Sequence, residues 1–557
     1  MRKNYIFLLL LLPIAAMSQS FQLVKDVNPT TSGLSLNCSF REMNGKLYYL
    51  FTDQATGNTT LNVSDGTSAG TYKITQDNVS VSSPIIIGGN KIFFFATDGI
   101  NGKEPWISDG TTLGTHMIKN INLSTNDFDF NTFFASFLSA DANKAFFIGN
   151  DGTNGDELWV TDGTEAGTIL TKDIYAGATG SQIKVSDSMG SNMKDGKLYF
   201  FAVNGTGGFT INGEEPWVSD GTPAGTFMLK DIKTGFNPSS GSANTKHFVE
   251  YNGKMYFFAN GDTAALTGLY ETDGTTIGTQ IVYSTSIYRI DEFLIRNNLI
   301  YFTHSNGPAL YSSDGTTAGT NLVATIPDGQ LNNLGTCQMV DVNGTLFLRA
   351  VSNTVGAELF KLDNSSQIVN VKDIKIGSPS GVTGNIFPNR KVLQVYGGKV
   401  WFLASDGSLS GALEMWNSDG TLAGTTALSP LNGDGGFAGG NGNHYNIFAT
   451  SFGMFMIYYN AAVGAELYLY TSAPLSNPEL ENNYGISLYP NPSKGEFTIQ
   501  VSNIFVGGKA TIYNLLGQAV KEFNIDENEE QTNLNPGVYL VNVQKENKTI
   551  TKKIVVQ

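Results

Sequence analysis

The sequence predicts an all-β protein: a β-propeller of four-stranded blades, built from about nine repeat units or else eight, followed by a small Ig-like β-sandwich. Three observations predict it. A motif, Glu157-Leu-Trp-Val-Thr-Asp-Gly-Thr-Glu-Ala-Gly-Thr168, returns along the chain with a period of roughly 50 residues, the range of solenoids, propellers and arrays. An apolar run introduced by a tight-turn dipeptide lies upstream of each copy. Finally, charged residues make up 15% of the 557-residue chain, while Gly (63), Phe (35) and Tyr (23) are abundant, a profile of short strands joined by glycine turns rather than long helices.

Taken in order, the chain opens with Arg2 and Lys3, an apolar stretch from Tyr5 to Ala16 and the small-residue sequence Ala16-Met-Ser18. This reads as a signal peptide, residues 1–18, cleaved before Gln19. The stretch is too short for a comfortable membrane span, and no later segment approaches one. The mature chain is therefore expected to lack a transmembrane segment and to leave through the periplasm, to the outer cell surface or the medium.

Residues 19–471 carry the repeats. Clear copies of the motif run Glu104–Thr115, Glu215–Thr226 and Glu414–Thr425, and looser ones Leu61–Thr71, Leu269–Thr279 and Leu310–Thr320. A decayed copy begins at Glu358 and a truncated one at Glu466. The upstream apolar runs include Asn44–Phe51, Gly89–Ala96, Asp195–Ala202, Asn252–Ala259 and Gly397–Ala404. Their Asn-Gly and Asp-Gly pairs favour two-residue hairpins, so a further strand should precede each. Their unbroken apolarity predicts strands buried on both faces. After the motif comes a Lys-Asp-Ile ending, as at Thr171–Ile174, Leu229–Ile232 and Val371–Ile374. Four short strands per unit match a propeller blade. The last unit stops at Thr471 with no fourth strand, and Gln22-Leu-Val-Lys-Asp-Val27 matches the missing ending. Residues 22–27 are expected to complete the last blade, closing the ring and removing two open edges. Cys38 and Cys337 fall at equivalent positions of non-neighbouring units, too far apart to bridge, so free thiols are expected.

Residues 472–484, with Pro474 and Pro478 among small polar residues, read as a linker. Beyond them, residues 485–557 hold predicted strands Ile486–Tyr489, Glu496–Val501, Lys509–Tyr513, Gln518–Phe523, Gly537–Gln544 and Lys548–Val556. The net charge of -15 argues against nucleic acid as a partner and against docking on an anionic membrane.

The tail resembles the type A sorting domain of the type IX (Por) secretion system of Bacteroidetes. The resemblance rests on Leu488–Phe497 (LYPNPSKGEF), Ala510–Gln518 (ATIYNLLGQ), Leu534–Leu540 (LNPGVYL) and the Lys-containing ending Thr551–Gln557. It implies that Pro490, Asn491, Pro492, Gly495, Gly517, Pro536 and Gly537 belong to the sorting motif. It also implies that residues 485–557 engage the type IX secretion machinery and are removed on release or surface attachment. Asn44 to Thr471 resemble the ELWxxDGT-repeat proteins, which implies surface or extracellular placement and no settled chemistry.

Three sets of residues compete for a functional reading. The recurring Asp65, Asp109, Asp162, Asp220, Asp273, Asp314 and Asp419 are expected to shape tight turns, each carboxylate accepting backbone N–H groups beside a positive-φ Gly. The oxygen-rich connections give calcium candidates Asp98, Glu104, Asp151, Glu157, Asp406 and Glu414. None shows a full EF-hand, and the preferred reading is glycine turns with the Glu anchoring the loop, with no cofactor. Trp106, Trp159, Trp217 and Trp416 are read as packing between blades rather than sugar platforms. The four His are scattered, and no G-x-S-x-G elbow, P-loop or H-E-x-x-H occurs. The leading expectation is a non-enzymatic surface or secreted propeller that binds an extracellular glycan or protein. The alternatives are a secreted polysaccharide hydrolase or lyase, and a structural adhesin of the envelope. The place to look for chemistry is where the motif fails, at the decayed unit and the Gly-rich stretch Leu431–His444.

Overall fold

In the computed structural model the chain divides into two compact units, Met1–Thr471 and Ser472–Gln557. The structure describes residues 21–27, 39–53, 56–82, 85–122, 137–183, 192–206, 209–233, 248–285, 290–304, 309–326, 329–330, 338–377, 380–382, 392–407, 414–428, 447–460, 464–471, 486–501, 505–514, 518–545 and 548–557. The expected signal peptide, both cysteines, the linker, Gly517 and the Leu431–His444 stretch lie outside the described residues.

Among the described residues the first unit holds nine sheets, antiparallel throughout except where Tyr175–Ala176 pairs parallel to Gly205 and Thr206, and the third is representative. Phe137–Ala140 pairs with Ala145–Gly149, which pairs with the motif strand Glu157–Thr161, which pairs with Ile169–Lys172. The hairpin between first and second strands is tight because Asn or Asp and Gly there take positive φ together, as at Asn44 (52°) and Gly45 (68°) or Asn252 (47°) and Gly253 (76°), the geometry of a type I′ turn. The fourth strands are shorter than the expected Lys-Asp-Ile endings. Phe227–Met228 and His116–Met117 stop before the lysine. Three sheets gain a fifth, two-residue segment, Ser80–Val81, Tyr175–Ala176 or Gly329–Gln330, alongside the second strand.

The second strand is apolar throughout because both its faces are covered. Along Lys91–Thr97, Ile92, Phe94 and Ala96 pack toward the first sheet, with Leu50, Leu61 and Val63. The alternate residues Phe93 and Phe95 pack toward the third, with Phe137, Phe147 and Trp159. The alternation is the two-residue period of a strand. The same packing joins each sheet to the next along the chain. The series closes on itself: Phe455, Ile457 and Leu467 of the last sheet share a core with Phe40, Leu47 and Tyr49 of the first. The first strands of several neighbouring sheets lie side by side, as Ile86–Gly88 does with Phe137–Ala140 and Gln394–Tyr396 with Ile447–Ala449. These features make the unit a β-propeller. The last sheet runs Ile447–Ala449, Met454–Asn460, Gly464–Tyr470 and then Gln22–Lys25, from the other end of the sequence.

The decayed copy at Glu358 still forms its strand, Gly356–Leu362, in a sheet of its own with Thr345–Ser352 and Ile368–Lys372. In the second unit, Ile486–Tyr489, Glu496–Val501 and Glu529–Asn533 form one sheet. Ala519–Ile525, Gly508–Asn514, Gly537–Lys545 and Lys548–Val556 form the other. Phe497, Ile499, Ile512, Val541 and Ile554 fill the space between them. Glu529–Asn533 was not among the predicted strands. Only Thr532 of its five residues is buried, so it carries no apolar alternation and is held by backbone pairing to Glu496–Gln500.

Candidate functional site

The repeated motif builds the same small structure each time. In the third sheet, the Asp162 carboxylate accepts the Thr164 N–H (2.8 Å) and hydroxyl (2.7 Å). The Thr164 hydroxyl oxygen in turn accepts the Gly167 N–H at 3.0 Å. Thr168 donates to the Thr164 carbonyl (2.6 Å), and its hydroxyl meets that of Thr161 at 2.7 Å. Asp65, Asp109, Asp220, Asp273, Asp314 and Asp419 sit in the same network. The threonine hydroxyl, with its backbone N–H, holds the carboxyls of Asp109, Asp162, Asp314 and Asp419 below the usual range. Gly167 is required because a Cβ there would lie 2.1 Å from the Asp162 carboxylate. The decayed copy keeps the device with altered residues. Asp363 accepts the Ser365 N–H and hydroxyl, and Ser366 takes φ 58°.

In five copies the glutamate that opens the motif is buried and clamps the chain just beyond the fourth strand of its sheet. Glu157 accepts the Ile174 and Tyr175 N–H groups at 3.1 and 2.9 Å. Glu104 does the same to Ile121 and Asn122, and Glu215 to Ile232 and Lys233. Glu358 holds Lys375 and Gly381. In the last sheet Glu466 receives Val27 N–H at 3.2 Å, so the clamp there joins the two ends of the unit. Burial pushes the carboxyls of Glu104, Glu215 and Glu358 up to about 7, and that of Glu157 up to about 8. The donated N–H groups oppose the shift without cancelling it.

A third device was missed in the sequence. The lysine of each Lys-Asp-Ile ending reaches the following sheet. Lys119 donates to the Thr168 carbonyl (2.8 Å), Lys172 to Thr226 (2.9 Å), Lys230 to Thr279 (3.0 Å) and Lys372 to Thr425 (2.8 Å). Lys25 reaches Thr71 at 2.7 Å, joining the last sheet to the first. The signal was present in the regular recurrence of that lysine. Its target was hidden because the acceptor lies some fifty residues away.

Four of the six calcium candidates accept hydrogen bonds from backbone N–H groups, Glu104 and Glu157 in the clamps above and Asp98 and Asp151 within their own loops. Asp98 accepts from the N–H groups of Ile100 and Asn101 and from the Asn101 side chain. Asp151 does the same with Thr153 and Asn154. Burial first, and the neighbouring Asp406 second, push the Glu414 carboxyl up; the intervening residues 408–413 lie outside the described set. Among the described residues no group of three or more His, Cys, Asp or Glu is placed to hold a metal ion. The tryptophans are buried against sheet neighbours. Trp106 shares a core with the first sheet and Trp159 with the second. Trp217 likewise meets the third and Trp416 the seventh.

In the tail, Pro490, Asn491 and Pro492 form the turn after Ile486–Tyr489, and Gly495 takes φ 113°. Asn491 donates to the Lys553 carbonyl and accepts the Val555 N–H, both at 3.0 Å. Pro536 and Gly537 lead into Gly537–Lys545, beside the Tyr539 hydroxyl, which donates to the Asn535 carbonyl at 3.1 Å.

Residues 487–557 match the model of the secretion system C-terminal sorting domain. No curated protein matches the chain in sequence. Among solved structures the chain is similar to PorZ, described as a bacterial surface component of the type-IX secretion system of Porphyromonas gingivalis. The two are 13% identical over 93% of this chain and 81% of that one, with a TM-score of 0.22. It is also similar to the β-propeller domain of the Trilobed protease from Pyrococcus furiosus (13% identity, 72% and 98% coverage, TM-score 0.30). A puromycin hydrolase gives 13% identity and a TM-score of 0.32, with 70% of this chain spanning 61% of that one. Similarity at this level carries no argument about activity. The tail marks the chain as cargo of the type IX machinery, bound for the cell surface or the extracellular space.

Proposed function

We propose that the protein is a surface-displayed or secreted propeller that binds an extracellular glycan or protein, delivered through the periplasm by its C-terminal domain. The observation that supports this reading is how fully the repeated polar residues are engaged in architecture. The motif Asp shapes the turn, the Glu clamps the fourth strand and the Lys ties one sheet to the next. Groups repeated in this way hold a frame and leave little for catalysis. In an antiparallel blade the second-to-third and fourth-to-first connections leave from one end of the sheets, and a rigid ring with variable loops at one end is a scaffold for recognition. We read the calcium candidates as turn and clamp residues, and the sorting motif as the part of the chain that the export machinery engages.

The test uses the full mature protein and a panel of extracellular polysaccharides and surface proteins, scored for retention and for product release. Retention without new reducing or unsaturated ends is expected. Release of such ends would overturn the binding role in favour of a hydrolase or lyase. Retention of nothing would leave the adhesin or envelope role standing and defeat the binding one. For delivery, removing residues 487–557 is expected to leave the protein in the periplasm; normal surface display would refute that route.

A further inference from the structure

The four-stranded sheet of the tail ends on Lys548–Val556, which among the described residues pairs with a strand on one side only, Gly537–Lys545. Its other side is an open edge, a row of N–H and C=O groups with nothing from the sheet to meet them. Over the last residues that edge is covered by the Pro490-Asn491-Pro492-Ser493 turn. Asn491 Nδ2 donates to the Lys553 carbonyl and Asn491 Oδ1 accepts the Val555 N–H, both at 3.0 Å. Two residues on, the backbone continues the pattern. Ser493 N–H donates to the Val555 carbonyl at 2.9 Å, and Gln557 N–H donates to the Ser493 carbonyl at 2.8 Å. Ser493 and Val556 form an isolated parallel bridge.

A primary carboxamide presents an N–H donor and a C=O acceptor side by side, the same kinds of group a backbone offers to a strand edge. Asn491 therefore stands where a residue of a neighbouring strand would stand, and its two bonds select one register for the terminal strand. A slip of one residue would turn Ile554 and Val556, both buried, to the outside. It would also turn Lys553, exposed on the opposite face, toward the core.

We propose that Asn491 is the positioning residue of the export signal: its carboxamide locks the register of the terminal strand, so that Thr551–Gln557 meets the secretion machinery in one presentation. The proposal rests on reading residues 487–557 as the export signal, and it adds to that reading the role of one side chain. Asp at this position would still accept from Val555 but would lose the donor to Lys553. Ala would lose both.

The experiment follows full-length Asn491→Ala and Asn491→Asp in a bacterium with a type IX machinery. Surface delivery is measured in cells, and amide exchange at Ile512, Val555 and Gln557 on the purified proteins. For Asn491→Ala, exchange at Val555 is expected to rise about tenfold, with Ile512 unchanged and surface delivery reduced several-fold. Wild-type delivery, or unchanged protection at Val555, overturns the proposal. If Ile512 also loses protection in the Ala variant, the Asp variant decides. Val555 is then expected to stay protected, with delivery between the Ala variant and wild type; delivery no better than Ala with Val555 protected overturns the proposal. The chain lacking residues 487–557 separates the two claims. If it is delivered normally, the export reading itself fails. If it is retained while Asn491→Ala is delivered, only the positioning role fails.

Discussion

Gly167 and Glu157 show how the motif works at the scale of single residues. Read along the sequence, Gly167 is an exit into the fourth strand. In the fold it is the one residue that leaves room for the Asp162 carboxylate, 2.1 Å from where a Cβ would sit. Gly167→Ala is therefore expected to lower stability by about 1–3 kcal/mol, as overpacking generally does, measured by urea unfolding of the full chain. An unchanged midpoint would show that the turn can open at no cost. Glu157 supplies a pH dependence. Its folded-state pKa is pushed up to about 8, from 4.5, so the folded state holds a proton that the unfolded chain releases. The linked stability is fully present below pH 4.5 and is lost as pH rises through the folded value. Glu104, Glu215 and Glu358 act in the same direction, up to about 7. The melting temperature is expected to fall between pH 5 and pH 8.5, and to fall less in Glu157→Gln, which keeps an acceptor but cannot titrate. Equal slopes in the two proteins would rule out Glu157 as a source.

At the scale of elements, the lysine latches and the shared aromatic cores hold sheet to sheet. Lys172 donates to the Thr226 carbonyl and also lies over the Trp217 ring, 5.8 Å from its centre. Lys172→Met keeps the apolar stem and removes the charge and the donor. A loss of about 1 kcal/mol is expected, the worth of one partly exposed bond to a charged group, read by chemical denaturation. No loss would mean the latch only marks the interface. Because Asp98 and Asp151 already accept N–H groups from their own loops, a chelator is expected to leave the melting temperature unchanged. A large downward shift on its addition would return these loops to the calcium reading. The apolar second strands and their Asn-Gly hairpins were legible in the sequence because both are local signals. Glu529–Asn533 was not legible, since its place depends on backbone pairing to a strand some thirty residues earlier.

At the scale of the whole molecule, closure joins the ends of the first unit by three bonds of different kinds. Gln22–Lys25 pairs with Gly464–Tyr470, Val27 donates to Glu466, and Lys25 donates to Thr71 of the first sheet. Deleting Phe21–Val27 would bare the edge of Gly464–Tyr470 and remove all three. The shortened chain is expected to unfold at lower temperature and to self-associate in light scattering, as open edges do. A monomer with the original melting temperature would show that closure contributes nothing.

The sequence by itself determined the repeating unit, its four short strands, its glycine turns and the two-unit organisation, with a sorting domain at the end. These follow from local period, turn chemistry and apolar alternation, which a chain carries wherever it folds. Only the tertiary structure decided what the polar residues meet: the Glu157 carboxylate on Ile174 and Tyr175, Lys172 on the next sheet, and Asn491 on the terminal strand. Each of those partners lies 17 to 64 residues away along the chain. A hydrogen bond is chosen by distance in space, and in this fold the spatial neighbours are set by the stacking of sheets.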